Sequence, residues 1–277
     1  MKIQFLPLFL LLIFCACKKQ DSDDSLMKPT DGKFTISFNP QISAGFGVTY
    51  GSISHVSPNQ MELSTRIYDL DNGGLLLSKN SNTSQKIDLP AGNYVAIFLA
   101  SSHQFYKFAV GGTMDLETPF SSAFFDTRFS VALPNNPLSE IYYKKVYFTV
   151  SKRDINQTVV LEKIVSDLEL VLEDEVPGSV SSLQLTVEND ASTFNLNTDS
   201  RGGAVDKISR FDPISGRLNA HVLGLGTKTV IIRAYDNAGK LIKEKRITAQ
   251  FSASSKTTVS GKLFNDEGQF IVSVNPV

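Results

Sequence analysis

Tryptophan is absent from this 277-residue chain, and cysteine and histidine are scarce, with two and three copies. Both cysteines, Cys15 and Cys17, fall at the extreme N-terminus, so the remainder has no thiol for a disulfide, a thiolate metal site or nucleophilic catalysis. His55, His103 and His221 are far apart in sequence, and no H-E-x-x-H pattern occurs. The G-x-S-x-G nucleophile elbow, the P-loop and the G-x-G-x-x-G fingerprint are also missing. The nearest approach, Leu223-Gly224-Leu225-Gly226, has two glycines and lies between two strand-like runs. Formal net charge is −1 and no basic stripe is visible, which argues against a nucleic-acid partner. The composition therefore points to a non-catalytic protein with no metal and no cofactor, held together by its hydrophobic core alone.

What is present begins at the N-terminus. Lys2 precedes an apolar run from Ile3 to Phe14 that is broken only by Gln4 and Pro7, and Lys18, Lys19, Gln20 and Asp21 end it abruptly. The run is short of the roughly 20 residues a membrane-spanning helix needs, and it reads as a signal peptide. Ala16 supplies the small residue that lipoprotein processing requires before an acylated cysteine, although Phe14 and Cys15 are unusual at the preceding positions. Cleavage is expected before Cys17, which would become the lipidation site. Several acyl chains together hold a protein stably on a membrane, whereas one does so only marginally. The next segment, KKQDSDDSLMKPTDG, has almost nothing apolar and should act as a flexible acidic spacer. These features give residues 1–16 as signal peptide and 17–32 as tether.

Beyond the tether, roughly 260 residues suggest about two domains. Apolar residues alternate with polar ones in Phe34-Ile36-Phe38, Val146-Phe148-Val150, Leu168-Leu170-Leu172, Leu183-Leu185-Val187, Val259-Gly261-Leu263 and Phe270-Val272-Val274. This period of two puts one face of each strand into a core and the other in water. Asp71-Asn72-Gly73-Gly74, Pro90-Ala91-Gly92-Asn93, Pro177-Gly178 and Asn237-Ala238-Gly239 are turn signals between the runs. No long helical stripe is evident, though a helix is expected near residues 118–128. Residues 66–76 (RIYDLDNGGLL) echo residues 233–242 (RAYDNAGKLI), which suggests duplication of one β-sandwich. The expected division is 33–154 for the first sandwich and 155–277 for the second.

Three constellations were weighed as sites. Asp69, Asp71 and Gly74 begin like a calcium loop, but Gly73 and Asn80 occupy the positions that need Asp or Asn and then Glu, so a hairpin turn is expected instead. Glu173, Asp174 and Glu175 could supply a catalytic carboxylate, but they stand before Pro177-Gly178 and read as a solvated turn. Phe105, Tyr106, Phe108, Phe120, Phe124, Phe125 and Phe129 form an aromatic-rich stretch that could meet sugar rings, a partner surface or the core.

The lysine pair and acidic tether, the IYDLDNGG hairpin, the LPAGNY turn before VAIFLA, the segment VVLEKIVSDLELVLED and the closing TTVSGKLF and FIVSVN together resemble the FimB-type fimbrial anchor and tip lipoproteins of Bacteroides-type bacteria. The resemblance runs along nearly the whole chain. It implies two tandem transthyretin-like β-sandwiches held on the outer membrane by lipid at Cys17, facing outward as the Asp21-Asp23-Asp24 cluster suggests. Asp24-Ser25-Leu26 likewise resembles the O-glycosylation tripeptide of that lineage. The partners implied are fimbrial subunits that join by strand exchange, and the role is anchoring or adhesion. A glycan-binding lipoprotein of a nutrient-uptake system is the alternative.

Overall fold

The structure, a computed structural model, describes residues 32–42, 61–80, 84–101, 119–127, 138, 140–213, 216–265 and 268–277. Cys17 and the signal-peptide and tether expectations lie outside these residues, as do His55, His103, Phe105, Tyr106, Phe108 and Phe129. The described chain is all-β. Its strands are β1 (Lys33–Ile42), β2 (Glu62–Asp69), β3 (Leu75–Asn80), β4 (Gln85–Pro90), β5 (Gly92–Ser101), β6 (Phe124–Asp126), β7 (Ile141–Val150) and β8 (Ile155–Lys163). They continue as β9 (Ser166–Leu172), β10 (Ser182–Asn195), β11 (Arg201–Phe211), β12 (Arg217–Val222), β13 (Gly226–Tyr235), β14 (Leu241–Phe251), β15 (Ser255–Gly261) and β16 (Phe270–Pro276).

Three sheets result. The first has the order β3-β2-β5-β7-β8-β1-β4. Strands β7 and β8 pair only at Tyr142–Lys163 and Tyr143–Glu162, so the sheet folds over there and its two wings enclose one core. Phe34, Ile36 and Phe38 from β1 meet Ile67, Phe98 and Leu161 inside it. The second sheet is β11-β10-β13-β14, with β6 added to the far end of β10, and the third is β12-β9-β15-β16. Leu168, Leu170, Leu185, Val230, Ile232 and Phe251 fill the space between these two. Strand β5 departs from simple alternation because both its faces are covered: Ala96 and Phe98 enter the first core, while Val95, Ile97 and Leu99 face the rest of the molecule. A strand buried on two faces reads as a continuous apolar run.

The strand order repeats. Replacing β1, β2, β3, β4, β5, β7 and β8 with β9 to β15 in order converts the first set of pairings into the second, including the parallel pair β1–β8, which becomes β9–β15; the two-residue β7–β8 ladder alone has no counterpart among the described residues. The short sequence echo does not trace this repeat. Residues 66–76 form the β2–β3 hairpin and residues 233–242 the β13–β14 hairpin, whereas the topological counterpart of β13 is β5. The echo is turn chemistry. The Asp69 carboxylate accepts the Asp71 N–H at 2.8 Å, and the Asp236 carboxylate accepts the N–H groups of Ala238 and Lys240 at 2.9 and 2.8 Å. Each turn needs a residue in the left-handed region, filled by Gly73 (φ 72°) and Gly239 (φ 76°).

The expected division after residue 154 falls inside the β7–β8 hairpin, and β8 is hydrogen-bonded to β1 and β7. The pairings pass from the first set to the second between Lys163 and Ser166. The helix expected near 118–128 is replaced, over described residues 119–127, by a 3-10 turn at Phe120–Ser122 and by β6. The backbone there is claimed from outside: Phe120 N–H donates to Gly73 O at 2.9 Å and Ala123 O accepts from Leu196 N–H at 2.8 Å. Tertiary pairing overrides whatever local helical preference the segment has.

Candidate functional site

Several of the described residues singled out from sequence hold the fold together. Asp174 lies among Glu173 and Glu175, yet its carboxylate accepts three backbone N–H groups, from Leu263 (3.0 Å), Phe264 (2.6 Å) and Asn265 (3.2 Å). It fixes the exit of β15. The Leu223–Gly226 segment is held the same way: fully buried Asp190 accepts the N–H groups of Gly224 at 2.6 Å, Ala191 at 2.8 Å and Leu223 at 3.4 Å. Burial raises the Asp190 pKa, against the pull of those N–H dipoles and of the Lys207 charge. The signal for it was the Asn189-Asp190 break in an otherwise alternating run. Asn189 adopts φ 54° and the β10–β11 register shifts there, forming a bulge.

Of the described aromatic residues of the 105–129 stretch, Phe120 and Phe125 belong to the core where the two sets of strands meet. Phe120 packs on Tyr68 with ring centroids 5.4 Å apart, and Phe125 stacks on Phe194 at 5.4 Å. Tyr143 meets Phe194 edge-on at 5.0 Å, and the Arg201 guanidinium lies 5.4 Å from the Phe194 ring. With Val95, Ile97, Leu99, Val165 and Leu223 they make one cluster with members from β2, β5, β7, β10 and the segments between strands. Hydrogen bonds reinforce this junction. The Tyr143 hydroxyl stands 2.8 Å from Leu196 O and 2.9 Å from an Asp199 carboxylate oxygen, Lys145 reaches Asn197 O at 2.6 Å, and Arg201 donates to Ile164 O at 2.9 Å. Burial, with Asp199 beside it, pushes the Tyr143 pKa up, so the hydroxyl stays a neutral donor.

A charged network crosses the same boundary. Lys163, at the end of β8, bridges Glu140 at 2.9 Å and Asp167 of β9 at 2.6 Å, and its side chain is only 8% exposed. Asp167 also meets His221 Nδ1 of β12 at 2.8 Å. Burial disfavours the charged Asp167 carboxylate, but the His221 hydrogen bond and the Lys163 charge outweigh it and hold its pKa below the ordinary value. Sequence reasoning missed this network, because Lys163 and Asp167 lie in different sheets and only the fold brings Glu140 and His221 to them. Among the described residues no group of three His, Cys, Asp or Glu side chains is arranged to hold a metal.

Among the described residues, sheet edges are exposed and capable of recognition. Strands β3 and β4 bound the first sheet, β11 and β14 the second, β12 and β16 the third. The last of these carries Ile271, 67% exposed, on its outer face. An edge offers main-chain N–H and C=O groups and pockets for alternate side chains to an added strand.

Several solved structures share this fold. The fimbrial anchor protein Mfa2 of Porphyromonas gingivalis superposes with a TM-score of 0.53 at 12% identity, covering 88% of this chain and 98% of that one. A candidate polysaccharide-binding protein of Bacteroides thetaiotaomicron gives 0.56 at 11% identity, covering 88% and 98%. A candidate adhesin of Bacteroides ovatus gives 0.55 at 12% identity, covering 88% and 95%. No curated protein sequence matches the chain. The sequence profile of the fimbrillin-A associated anchor proteins Mfa1 and Mfa2 matches residues 63–262, so the chain belongs to that family of anchor proteins, whose members are not enzymes.

Proposed function

We propose that the chain is an outer-membrane lipoprotein, acylated at Cys17, that anchors a fimbrium on the cell surface by offering a sheet edge to a fimbrial subunit. The family match over residues 63–262 carries this reading. The repeated strand order supports two tandem transthyretin-like sandwiches, and we place their division at Ile164 and Val165 instead of after residue 154. Lipid at Cys17 and the acidic tether would hold the first sandwich near the membrane, leaving the second outermost. Strand addition needs no catalytic group, only unpaired backbone and apolar pockets.

The test is crosslinking on intact cells, followed by mass spectrometry of the covalently joined proteins. Fimbrillin-like β proteins crosslinked to the described strands are the expected result. Recovery of a membrane transporter with sugar-binding lipoproteins, and no fimbrial subunit, would overturn the anchor reading. In parallel, Cys17→Ala should move the protein from the membrane fraction to the soluble one, and a variant that stayed membrane-bound would refute lipidation at that residue.

A further inference from the structure

One asymmetry of the repeat lies at its last strands. In the second set of strands, β15 is covered along its outer edge by antiparallel β16, from Ser255–Pro276 to Gly261–Phe270. Its counterpart β8 pairs with β1 over Ile155–Leu161 on one edge, and among the described residues no strand pairs with the other edge over that stretch. This part of β8 and β15 are each seven residues long and alternate in the same phase, Ile155, Gln157, Val159 and Leu161 pointing inward as Ser255, Thr257, Val259 and Gly261 do, and we align them from their first residues.

Burial follows the asymmetry. Beneath β16, the inward residues Ile247 and Ala249 of β14 and Ser255 and Thr257 of β15 are all buried. Counting from the equivalent hairpin, their counterparts Val146, Phe148, Ile155 and Gln157 are only half-buried. Phe270 and Val272 of β16 pack on the second core, and the corresponding place beside the first core has no such side chains among the described residues.

The edge is also undefended. Natural edges carry charge, proline or bulges that discourage pairing. Each terminal strand of the three sheets has one or more of these, such as Lys79 in β3, Asp88 and Pro90 in β4, Lys207 in β11, Arg217 in β12, Lys243 in β14 and Pro276 in β16. The β8 stretch INQTVVL has neither charge nor proline, and Val160 on its outer face is 45% exposed.

We infer that the edge of β8 over residues 155–161, which no described strand pairs, receives an antiparallel strand from a partner protein. That strand would place large apolar side chains at alternate positions over Val146, Phe148 and Ile155, as Phe270 and Val272 do over the second core. The inference rests on the anchor reading for the partner's identity, a fimbrial subunit, but not for the edge itself. The closing strand of this chain supplies a model of the occupant, since its sequence already fits the equivalent slot.

The probe is a synthetic peptide with the sequence of residues 269–277, carrying a cysteine in place of Ser273, added to the full chain in detergent. Thr258 faces Ser273 in the β15–β16 ladder, so a register-specific strand sets the peptide cysteine opposite position 158. Disulfide formation is expected with Thr158→Cys roughly tenfold faster than with Asn156→Cys or Val160→Cys, because directly opposed residues are far closer than diagonal ones. Gln157→Lys puts a charge in the slot and should weaken peptide binding by about tenfold or more with the melting temperature preserved. Equal crosslinking at all three positions, or none, overturns the inference. Capture of purified fimbrial subunits separates the two readings. Capture that Gln157→Lys leaves unchanged overturns the β8 assignment while retaining the anchor role. In-register crosslinking with no subunit capture by the unsubstituted chain retains the assignment and overturns the anchor role.

Discussion

Phe194→Ala tests whether the two sets of strands form one cooperative body. Phe194 is fully buried where Phe125, Tyr143 and Arg201 converge on its ring. Truncating a buried phenylalanine costs about 3–5 kcal/mol through lost transfer energy and the cavity left behind. The upper part of that range applies here, because two aromatic contacts are lost, each worth about 0.5–1.5 kcal/mol beyond area burial. For a protein of this size about 4 kcal/mol lowers the melting temperature by roughly 10 °C. Urea unfolding followed by far-UV circular dichroism, with hydrogen exchange at residues 124–126 and 193–195, measures both consequences. One transition shifted as a whole, with accelerated exchange in both segments, is expected. A loss below about 1 kcal/mol, or two separate transitions of which one is unmoved, would refute the view that this cluster welds the molecule.

Other outcomes follow from single contacts. Lys163→Met leaves half-buried Glu140 and Asp167 without their shared cation, while Asp167 keeps His221, and should cost about 3 kcal/mol, the low end for a broken buried pair, in denaturant unfolding at neutral pH. The Asp167 pKa is depressed in the folded state, so its contribution to stability is fully present above its unfolded pKa of about 4 and is lost as pH falls through the folded value. Unfolding measured from pH 6 to pH 2 should therefore show a shallower acid loss in Asp167→Asn than in the unsubstituted chain, and identical slopes would contradict this. Asp174→Ala strands three N–H groups at the exit of β15, with an expected cost of about 1–3 kcal/mol and faster exchange confined to residues 262–265. Tyr94→Phe removes the hydroxyl that donates to Pro90 O at 3.0 Å across the β4–β5 turn, for about 1 kcal/mol and no change in fold.

Where burial is one-sided, the strands were legible from alternation. Phe34, Ile36 and Phe38 do point inward from β1, as Leu168, Leu170 and Leu172 do from β9. The turns at Gly73 and Gly239 were legible too, since a positive φ beside an Asx-type hydrogen bond leaves a strong local signature. Long-range partnership was not. Nothing in FSSAFFD says that Phe125 will stack on Phe194, nor does the sequence near Asp190 reveal that Gly224 will reach it from more than thirty residues away. The aromatic run left core and surface both open because its apolar character has no period, and of its described part Phe120 and Phe125 are buried in the seam. The duplication was suspected from a pair of similar hairpins, which occupy non-equivalent places. The repeat lies in strand order, where sequence similarity has faded and the pairing pattern has not.

Strand β1 begins at Lys33, immediately after the expected tether, and it is not an edge. It is paired with β4 from Lys33 to Phe38 and with β8 from Ile36 to Ile42. A pull applied through the segment before Lys33 runs along the strand axis. Both ladders are then loaded lengthwise, so many hydrogen bonds must yield together, whereas a pull across an edge strand opens them one at a time. Were the chain held through Cys17 as proposed, this strand would be a mechanical clamp, resisting drag better than the fold's equilibrium stability alone would suggest.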